Sequence, residues 1–238
     1  EIQKIYHENK GRYGYRRITS ELKQCGYTIN HKTVLKLMKQ CGILCKVRMK
    51  KYRSYRGNFG TVAPNLLNRN FKAEAPNCKW VTDITEFSLF GTKLYLSPIL
   101  DLYNGEIISY TLSEKPHFAS VMRMVNQALE RLPESHSLIL HSDQGWQYQM
   151  RAYQVHLKSR GIQQSMSRKG NCLDNSVMEN FFGHLKSELL YLQKFESIEH
   201  FKEELVEYIE YYNHKRIKLK LKGLSPVQFR LQSSYHYA

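Results

Sequence analysis

The chain has 238 residues, which is enough for one large domain or for a small domain joined to a medium one. Its 36 Lys and Arg residues against 21 Asp and Glu residues give a formal net charge of +15, which attracts polyanions and indicates nucleic acid as a partner. No apolar run approaches the roughly 18 residues of a membrane-spanning helix, and the first residues do not resemble a secretory signal, so the pattern argues against a membrane or secreted protein.

Two short helices are predicted near the amino end. Apolar residues recur at helical spacing over residues 15–25, and Gly26 ends the pattern. Asn30 is a suitable N-cap for a second helix over residues 31–40, which Gly42 ends. The short connection predicts a DNA-binding helix-turn-helix, with a helical hairpin of solvated basic face as the alternative. The basic residues expected on the exposed face are Arg12, Arg16, Arg17, Lys32, Lys36 and Lys39.

A basic linker is predicted after these helices, where Gly57, Gly60 and Pro64 interrupt any regular element. Its Lys and Arg residues are interleaved with tyrosines. Such a run is either a solvated tether or an additional contact with duplex phosphates, which gains affinity by releasing counterions. The residues expected to contact DNA here are Lys50, Lys51 and Arg53.

The five cysteines include no Cys-x-x-Cys pair, which argues against a ribbon-type zinc site and a disulfide framework and is typical of a reducing cytoplasm. His7, His31, Cys41 and Cys45 are the candidates for a His-His-Cys-Cys zinc module. The two His are 31 − 7 = 24 positions apart, whereas a compact helix pair needs only a few. We therefore favour ordinary helix-face positions over zinc ligands.

Beyond Cys78 the apolar pattern changes from helical spacing to strands. Strands are predicted over 79–87, 93–100 and 106–112, then a helix over 118–132, a strand over 137–141, a helix over 149–159, a short strand from Gly161 and a helix over 174–190. This order, βββαβαβα, predicts an α/β fold in which helices pack on a mixed five-stranded sheet. A last helix runs from Ser197, its expected N-cap, to about Asn213, before a strongly basic tail.

Three acids of this region are candidate ligands of divalent metal ions. Asp83 is predicted inside an otherwise apolar strand, where an ionised side chain is costly unless it is paired or bound to metal. Asp143 follows a predicted strand, at the end where open α/β sheets place ligands. Glu179 shares a helix face with Asn175 and with Gly183, whose small size would let that face approach the sheet. Phosphoryl transfer with two metal ions needs carboxylates gathered in this way, although each acid alone is also explained as a surface residue.

Four further acids compete for the metal-binding role. Glu86 and Glu188 are expected to point away from Asp83 and Glu179 respectively, because of their odd spacing in a strand and their nine-residue spacing in a helix. Asp101 is expected in a turn and Asp174 at the N-cap of the helix that carries Glu179. We expect all four to be surface residues or neighbours of the metal ligands.

One spacing and several short segments match a known pattern. Asp143 and Glu179 have 35 residues between them, and Lys186 follows Glu179 by seven positions, which resembles the D,D(35)E signature of retroviral-integrase-like transposases. The segments that match are Trp80-Val81-Thr82-Asp83-Ile84-Thr85, His141-Ser142-Asp143-Gln144-Gly145, Ser165-Met166-Ser167-Arg168-Lys169-Gly170-Asn171-Cys172, Tyr13-Gly14-Tyr15-Arg16-Arg17-Ile18 and Asn30-His31-Lys32. Together they resemble the second-frame, OrfB-type product of bacterial insertion sequence 3 family transposases over nearly the whole chain. The tail departs in detail, with Arg216-Ile217-Lys218 where many relatives have Arg-Pro-His.

The resemblance implies an RNase H-like core and a DDE polynucleotidyl transferase that cleaves the 3′ ends of its element and joins them to DNA. It implies Asp83, Asp143 and Glu179 as catalytic metal ligands, with Mg²⁺ as the cofactor and Mn²⁺ as a substitute. The implied partners are double-stranded DNA, as element ends and target, and further copies of the chain. A nuclease of the same fold without strand transfer, or an inactive DNA-binding repressor, are the alternatives.

The family pattern also bears on DNA contacts and on domain limits. Lys186, Arg168 and Lys169 are expected to contact DNA beside the catalytic acids. We predict a helix-turn-helix domain at 1–48, a linker at 49–75, the catalytic core at 76–192 and a carboxy-terminal helix with basic tail at 193–238. Such an enzyme is expected in the bacterial cytoplasm, on the nucleoid when bound to DNA. Relatives often carry an upstream helix-turn-helix and leucine zipper, and we expect end recognition and multimerisation to be incomplete without them.

Overall fold

The computed structural model describes residues 1–47 and 61–234. Its α-helices are α1 (Ile2–Glu8), α2 (Tyr15–Gln24), α3 (His31–Gln40), α4 (Phe118–Leu129), α5 (Arg151–Ser159), α6 (Ser176–Leu185), α7 (Ile198–His214) and α8 (Pro226–Ser234). Its strands are β1 (Lys79–Thr82), β2 (Thr85–Leu89), β3 (Thr92–Asp101), β4 (Ile107–Ser113), β5 (Ile139–Ser142) and β6 (Gln163–Met166). Short 3-10 helices cover Cys172–Asn175 and Leu219–Leu221, and a π-helix covers Lys186–Leu190.

The described residues divide into two compact units. The first unit takes residues 1–47, 184–195 and 203–234, and the second takes residues 61–183 and 196–202. In the parts of the chain that the structure describes, every helix is too short or too polar to cross a membrane.

The first unit contains the predicted helix pair, α2 and α3. The Asn30 side chain accepts a hydrogen bond from the Lys32 backbone N–H at 2.8 Å, so the predicted N-cap of α3 is confirmed. Gly26 follows α2 with a φ of +87°, a conformation that glycine adopts at helix ends without steric cost. The apolar core of this unit is formed by Ile5, Tyr6, Tyr13, Ile18, Leu22, Val34, Met38, Ile43 and Ile217.

The basic tail is partly buried rather than solvated. Arg216 is 2% exposed and donates two hydrogen bonds of 2.7 Å to the Glu188 carboxylate. Glu188 also accepts from the Tyr208 hydroxyl at 3.0 Å and pairs with Arg17 at 3.3 Å. The expectation that Glu188 is a surface acid is therefore wrong: it is the centre of a buried charge cluster in the first unit. Arg12, expected to be exposed, is 5% exposed and donates to the Glu188 backbone carbonyl at 2.9 Å.

Helix α8 was not predicted, although its first residues carry a recognisable signal. The Ser225 hydroxyl accepts from the Gln228 backbone N–H, while the Gln228 side chain accepts from the Ser225 N–H. This reciprocal pair is a capping box, and Pro226 occupies the first helical position, where its missing N–H is not needed.

The second unit contains one mixed sheet. Strands β1 and β2 pair antiparallel with successive parts of β3, and β4 pairs antiparallel with β3. Strand β5 pairs parallel with β1, and β6 pairs parallel with β5. Helix α4 packs on β3 and β4, and α5 packs on β6. The predicted mixed sheet with flanking helices is confirmed, with six described strands instead of five because the first predicted strand is interrupted.

The interruption falls at Asp83 and Ile84. Because β1 and β2 pair with β3 in one continuous register, in which Thr82 pairs with Ile99, Asp83 lies opposite Pro98. A proline has no N–H to donate to a neighbouring strand, so the ladder weakens at this point. The Thr82 hydroxyl donates instead to the Pro98 carbonyl at 2.9 Å. Asp83 therefore follows a strand rather than lying inside one, which corrects the expectation from the apolar pattern.

The core of the second unit lies between the sheet and its helices. It is formed by Trp80, Ile99, Ile108, Val121, Met124, Val125, Ala128, Leu129, Leu138, Leu140, Tyr148, Tyr153, Leu157, Ile162 and Met166. Burial of this apolar surface holds the ends of β1 and β5 in one fixed arrangement, since a packed core resists displacement of its strands.

Candidate active site

Asp83 and Asp143 follow two adjacent parallel strands. Thr82 pairs with Ser142 in the β1–β5 ladder, and each of the two acids is the first residue after its strand. Parallel neighbours end at the same edge of a sheet, about 4.8 Å apart in the hydrogen-bonding direction. The fold thus brings together two acids that are 60 positions apart in the chain (143 − 83).

A tight turn after β5 orients the Asp143 carboxylate. Its Oδ1 accepts a hydrogen bond of 2.8 Å from the Gly145 backbone N–H. A Cβ atom added at Gly145 would lie 2.9 Å from the same oxygen, closer than real Cβ atoms approach, and a tight 3.2 Å from the Tyr148 ring. Gly145 therefore has no space for a side chain. The Asp83 Oδ1 is held similarly, by the Ile84 backbone N–H at 2.7 Å.

Tyr148 lies beneath this edge of the sheet. It is 1% exposed, and its hydroxyl is 3.4 Å from the Thr82 hydroxyl. Burial raises the pKa of Tyr148 well above its ordinary value, and the negative charges of Asp83 and Asp143 raise it further. Both carboxylates thus act on the same hydroxyl, which remains neutral at physiological pH.

Asn175 connects helix α6 to the end of β1. Its Nδ2 donates to the Thr82 backbone carbonyl at 3.2 Å. Glu179 follows one helical turn later, about 6 Å along the helix axis at 1.5 Å per residue. Gly183 is exposed, and a Cβ added to it would meet nothing within 4 Å, so the expected close approach of the sheet at Gly183 is wrong.

Burial penalises the ionised forms of two of the three candidate ligands. Desolvation raises the pKa of Asp143, only partly offset by the Gly145 hydrogen bond, and desolvation raises the pKa of Glu179. Neither acid forms an ion pair with any residue in the described ranges 1–47 and 61–234. Within those same ranges no three His, Cys, Asp or Glu side chains lie close enough together to hold a metal ion.

The segment before α6 is held by a different acid. Asp174 is fully buried and accepts two hydrogen bonds of 2.8 Å from the Arg168 guanidinium, one of 2.9 Å from Arg69 and one of 3.0 Å from Asn65. The hydrogen bonds from Arg168 lower the pKa of Asp174 far below its ordinary value. Asp174 is therefore an ion-paired anchor within a 3-10 turn and not the predicted N-cap. Sequence reasoning missed Arg69, because no local pattern relates it to a residue 105 positions away.

His141 is the buried centre of a second polar network. Its Nδ1 is 2.8 Å from the Ser165 hydroxyl and its Nε2 is 3.1 Å from the Ser167 hydroxyl. Burial lowers the pKa of His141 to about 4, so the ring is neutral and links β5 to β6 beside Asp143.

The two competing acids of the sheet have other partners. Asp101 is the last residue of β3 and begins the predicted turn, since its carbonyl accepts from the Gly105 N–H at 2.7 Å. It is 1% exposed, and its carboxylate accepts from the backbone N–H groups of Asn77 and Tyr103, each at 2.8 Å. Glu86 is exposed and pairs with Lys93 at 3.1 Å. These contacts explain both acids without a metal.

The residues expected to contact DNA fall in different environments. Arg16, Lys32, Lys36, Arg168 and Lys169 are exposed, and Lys186, the first residue of the π-helix, is partly exposed. The Arg17 guanidinium is paired with buried Glu188, and the Arg168 guanidinium with buried Asp174. Lys50, Lys51 and Arg53 lie outside the described residues.

Three family models match the chain. A model described as "Integrase core domain" matches residues 73–172, and a second model of that description matches residues 179–233. A model described as "HTH-like domain" matches residues 1–51.

Relatives match at high identity. In Escherichia coli (strain K12), "Putative transposase InsK for insertion sequence element IS150" is 57% identical over 232 residues, which cover 98% of this chain and 82% of the relative. An "Uncharacterized transposase-like protein" of Haemophilus influenzae is 58% identical over 205 residues, covering 86% and 94%. "Transposase InsF for insertion sequence IS3A" of E. coli is 37% identical over 223 residues, covering 93% and 77%. The chain belongs to the insertion sequence 3 family of transposases.

The family assignment makes the chain a DNA transposase, an enzyme of the DDE polynucleotidyl transferase class. Solved structures agree on the fold of the transposase. The HTLV-2 integrase catalytic core solved with magnesium has a TM-score of 0.52 at 19% identity, covering 66% of this chain and 98% of that one. The simian T-cell lymphotropic virus intasome has a TM-score of 0.51 at 18% identity, covering 92% and 70%. The RNase H-like fold implied by the resemblance is confirmed, and the HTH-like match agrees with the helix-turn-helix predicted near the amino end.

Proposed function

We propose that Asp83, Asp143 and Glu179 are the catalytic metal ligands of this transposase, and that Mg²⁺ is its cofactor with Mn²⁺ able to substitute. The observation that carries the proposal is the pairing of Thr82 with Ser142, which sets Asp83 and Asp143 side by side at one edge of the sheet. The bond from Asn175 to Thr82 supports Glu179 as the third ligand, because it brings the first turn of α6 to that edge.

The donor groups fit a hard divalent cation, since all three are carboxylates and such cations prefer oxygen ligands. Bound to these oxygens, paired Mg²⁺ ions would activate the attacking oxygen and stabilise the leaving 3′ oxygen of the DNA in an in-line displacement. The chain's own part is to hold the oxygens in place. The N–H groups of Gly145 and Ile84 orient the carboxylates of Asp143 and Asp83, and the packed Tyr148 ring closes the site from below.

The proposed reaction is cleavage of the 3′ ends of an insertion sequence, followed by strand transfer to target DNA. Double-stranded element ends and target DNA are the proposed substrates of a homo-oligomer. The proposed DNA contacts are Arg16, Arg17, Lys32, Lys36, Lys50, Lys51, Arg53, Arg168, Lys169 and Lys186. Arg17 and Arg168 would contact phosphate with the donors that their carboxylate partners leave exposed, since a guanidinium has five N–H groups. A bacterial cytoplasmic location and domain limits at 48, 75 and 192 complete the proposal.

The decisive experiment incubates the chain with Mg²⁺ and an end-labelled duplex that carries one end of its element. We expect a 3′ nick and then a joined product, and loss of both for Glu179→Gln. Cleavage without joining would favour a nuclease, and binding without either product would favour a repressor. Unchanged products from Glu179→Gln would overturn the proposed site.

A further inference from the structure

Asn175 is an unusual polar residue for its surroundings. It is 4% exposed, and it ends the 3-10 turn that leads into α6. Its Oδ1 is buried and accepts no hydrogen bond from any residue that the structure describes. A buried polar atom without a partner costs about 1–3 kcal/mol, so its retention calls for an explanation.

The other half of the amide joins the elements that carry two of the proposed ligands. Nδ2 donates to the carbonyl of Thr82, the residue directly before Asp83. Glu179 lies on α6, four residues after Asn175, which ends the preceding 3-10 turn. A displacement of α6 along its axis would therefore stretch this hydrogen bond. The bond length consequently limits how far Glu179 can move relative to Asp83.

Thr82 is a firm anchor for this bond. It is fully buried, and its hydroxyl donates to Pro98 of the central strand β3. Its carbonyl lies at the point where the pairing of β1 with β3 is interrupted. Among common side chains of this size only an amide donates with one atom and accepts with the other, since an ionised Asp donates nothing and a Leu does neither.

We propose that Asn175 is a positioning residue of the metal site: it fixes the separation of Asp83 and Glu179 through its hydrogen bond to the Thr82 carbonyl. This inference rests on the proposed function of Asp83 and Glu179 as ligands. Residues that orient metal ligands without contacting the metal themselves contribute about 10- to 100-fold to metal affinity or activity. This positioning role explains why Asn175 is retained although its buried Oδ1 has no partner among the described residues.

The test measures Mn²⁺ binding to the full chain, with a non-cleavable duplex present, by the electron paramagnetic resonance signal of the free ion. The variants are Asn175→Ala and, as matched control, Ser109→Ala. Ser109 is also buried and also bonds a backbone carbonyl, that of Met124 at 2.8 Å, so its loss removes a comparable hydrogen bond from the same unit. Thermal unfolding without metal is measured for each variant.

We expect both variants to unfold at somewhat lower temperature, and Asn175→Ala alone to bind Mn²⁺ about tenfold more weakly. Strand transfer by Asn175→Ala should recover when Mg²⁺ is raised about tenfold, because a positioning defect weakens metal binding before it affects the reacting atoms. Asn175→Ser, which is well tolerated near a helix start, replaces Ala if the Ala variant does not fold. Unchanged Mn²⁺ affinity in Asn175→Ala or Asn175→Ser, with unfolding temperature lowered as in Ser109→Ala, would show that Asn175 has only a structural role.

Asp83→Asn separates failure of this inference from failure of the proposed function. If Asp83→Asn weakens Mn²⁺ binding and Asn175→Ala does not, the ligand assignment stands and the positioning role is wrong. If Asp83→Asn binds Mn²⁺ like the unaltered chain, the ligand assignment itself is wrong, and the role of Asn175 with it.

Discussion

The buried acids of the two units differ in what compensates their charge. In the first unit burial alone would raise the pKa of Glu188, but its hydrogen bonds and charge pairing with Arg216 lower that pKa to about 2. In the second unit the pKa values of Asp143 and Glu179 are raised by burial, and neither acid has an ion pair within the described residues. The charge of Glu188 is compensated within the protein, whereas the charges of Asp143 and Glu179 are not, which agrees with their proposed role as cation ligands.

The contrast does not simply follow the division into units. Asp174 belongs to the second unit and is as fully paired as Glu188, with Arg168 and Arg69 as partners. Asp143, by contrast, lies where β5 ends beside β1, and it has no such ion pair within the described residues. Structural ion pairs and candidate metal ligands therefore occur within the same unit.

The Asp143→Asn substitution tests this difference between the buried acids with the largest expected effect. We expect transposition to fall by about 10⁴-fold, or about 5 kcal/mol of lost transition-state stabilisation, because the change removes a proposed metal ligand. The unfolding temperature should stay equal or rise, since an amide is cheaper to bury than an uncompensated carboxylate. The measurements are strand-transfer kinetics and calorimetry. A large loss of stability with activity retained would place Asp143 among the structural acids.

Glu188→Gln is the converse change in the first unit. Glu188 and Arg216 are each 2% exposed, and removal of one partner of a fully buried pair costs about 3–5 kcal/mol. We expect the denaturation midpoint to fall accordingly while the folded fraction keeps its Mn²⁺ affinity. Urea unfolding provides the measurement. A loss below about 1 kcal/mol would mean that the cluster around Glu188 is not rigidly paired.

The pH dependence of stability distinguishes the two kinds of buried group. His141 has its pKa lowered to about 4 by burial, below the ordinary 6.5, so the unfolded chain takes up a proton first as the pH falls. The stability it contributes is complete above pH 6.5 and is lost between pH 6.5 and 4, by about 3 kcal/mol.

Glu188 responds to pH in a lower window. Its stabilisation is present above its ordinary value of 4.5 and is lost as the pH falls towards 2. Unfolding free energies between pH 7 and 3, compared with those of His141→Gln, separate the two contributions. If the unfolding free energy of His141→Gln still fell as steeply between pH 6.5 and 4, His141 would not be the cause of that loss. The loss would then be assigned to His184, whose pKa burial also lowers to about 4.

Gly145→Ala has the smallest expected effect, and its cause is a steric clash. The added Cβ would meet Asp143 Oδ1 at 2.9 Å, so the carboxylate must move by a few tenths of an ångström or more. We expect activity to fall by about 10- to 100-fold, because a misplacement of about 1 Å costs on that scale. Gly183→Ala is the control, since its Cβ would meet nothing within 4 Å. Equal activity of both variants would show that the turn after β5 adjusts freely.

Local sequence patterns predicted most elements correctly. The caps at Asn30 and Ser197 are present, with the Ser197 hydroxyl accepting from the His200 backbone N–H at 3.1 Å. Capping and helical periodicity depend on residues within a few positions of one another, so they can be predicted from one sequence. The capping box at Ser225 could have been predicted in the same way but was missed.

The three candidate carboxylates were selected from the sequence for a different reason. Asp143 follows a short apolar strand, and its spacing to Glu179 carries the resemblance to a known family. The interruption of the first strand at Asp83 was not predicted, because its cause is Pro98 on a neighbouring strand. The partners of Arg12, Arg17 and Arg216 were also missed. A basic residue in a basic segment is expected to be exposed to solvent, and the sequence does not show that it pairs with a residue distant in the chain.

The sequence alone determined most of the helix and strand order, the caps at Asn30 and Ser197 and three candidate acids, because these depend on neighbours in the chain or on a fixed spacing. Only the tertiary structure decided which acids are compensated. The distinction between Glu188 and Asp143 rests on contacts such as Arg216 to Glu188, 28 positions apart, and Asn175 to Thr82, 93 positions apart. Burial and long-range pairing set the cost of a charge, and neither is encoded in the residues beside it.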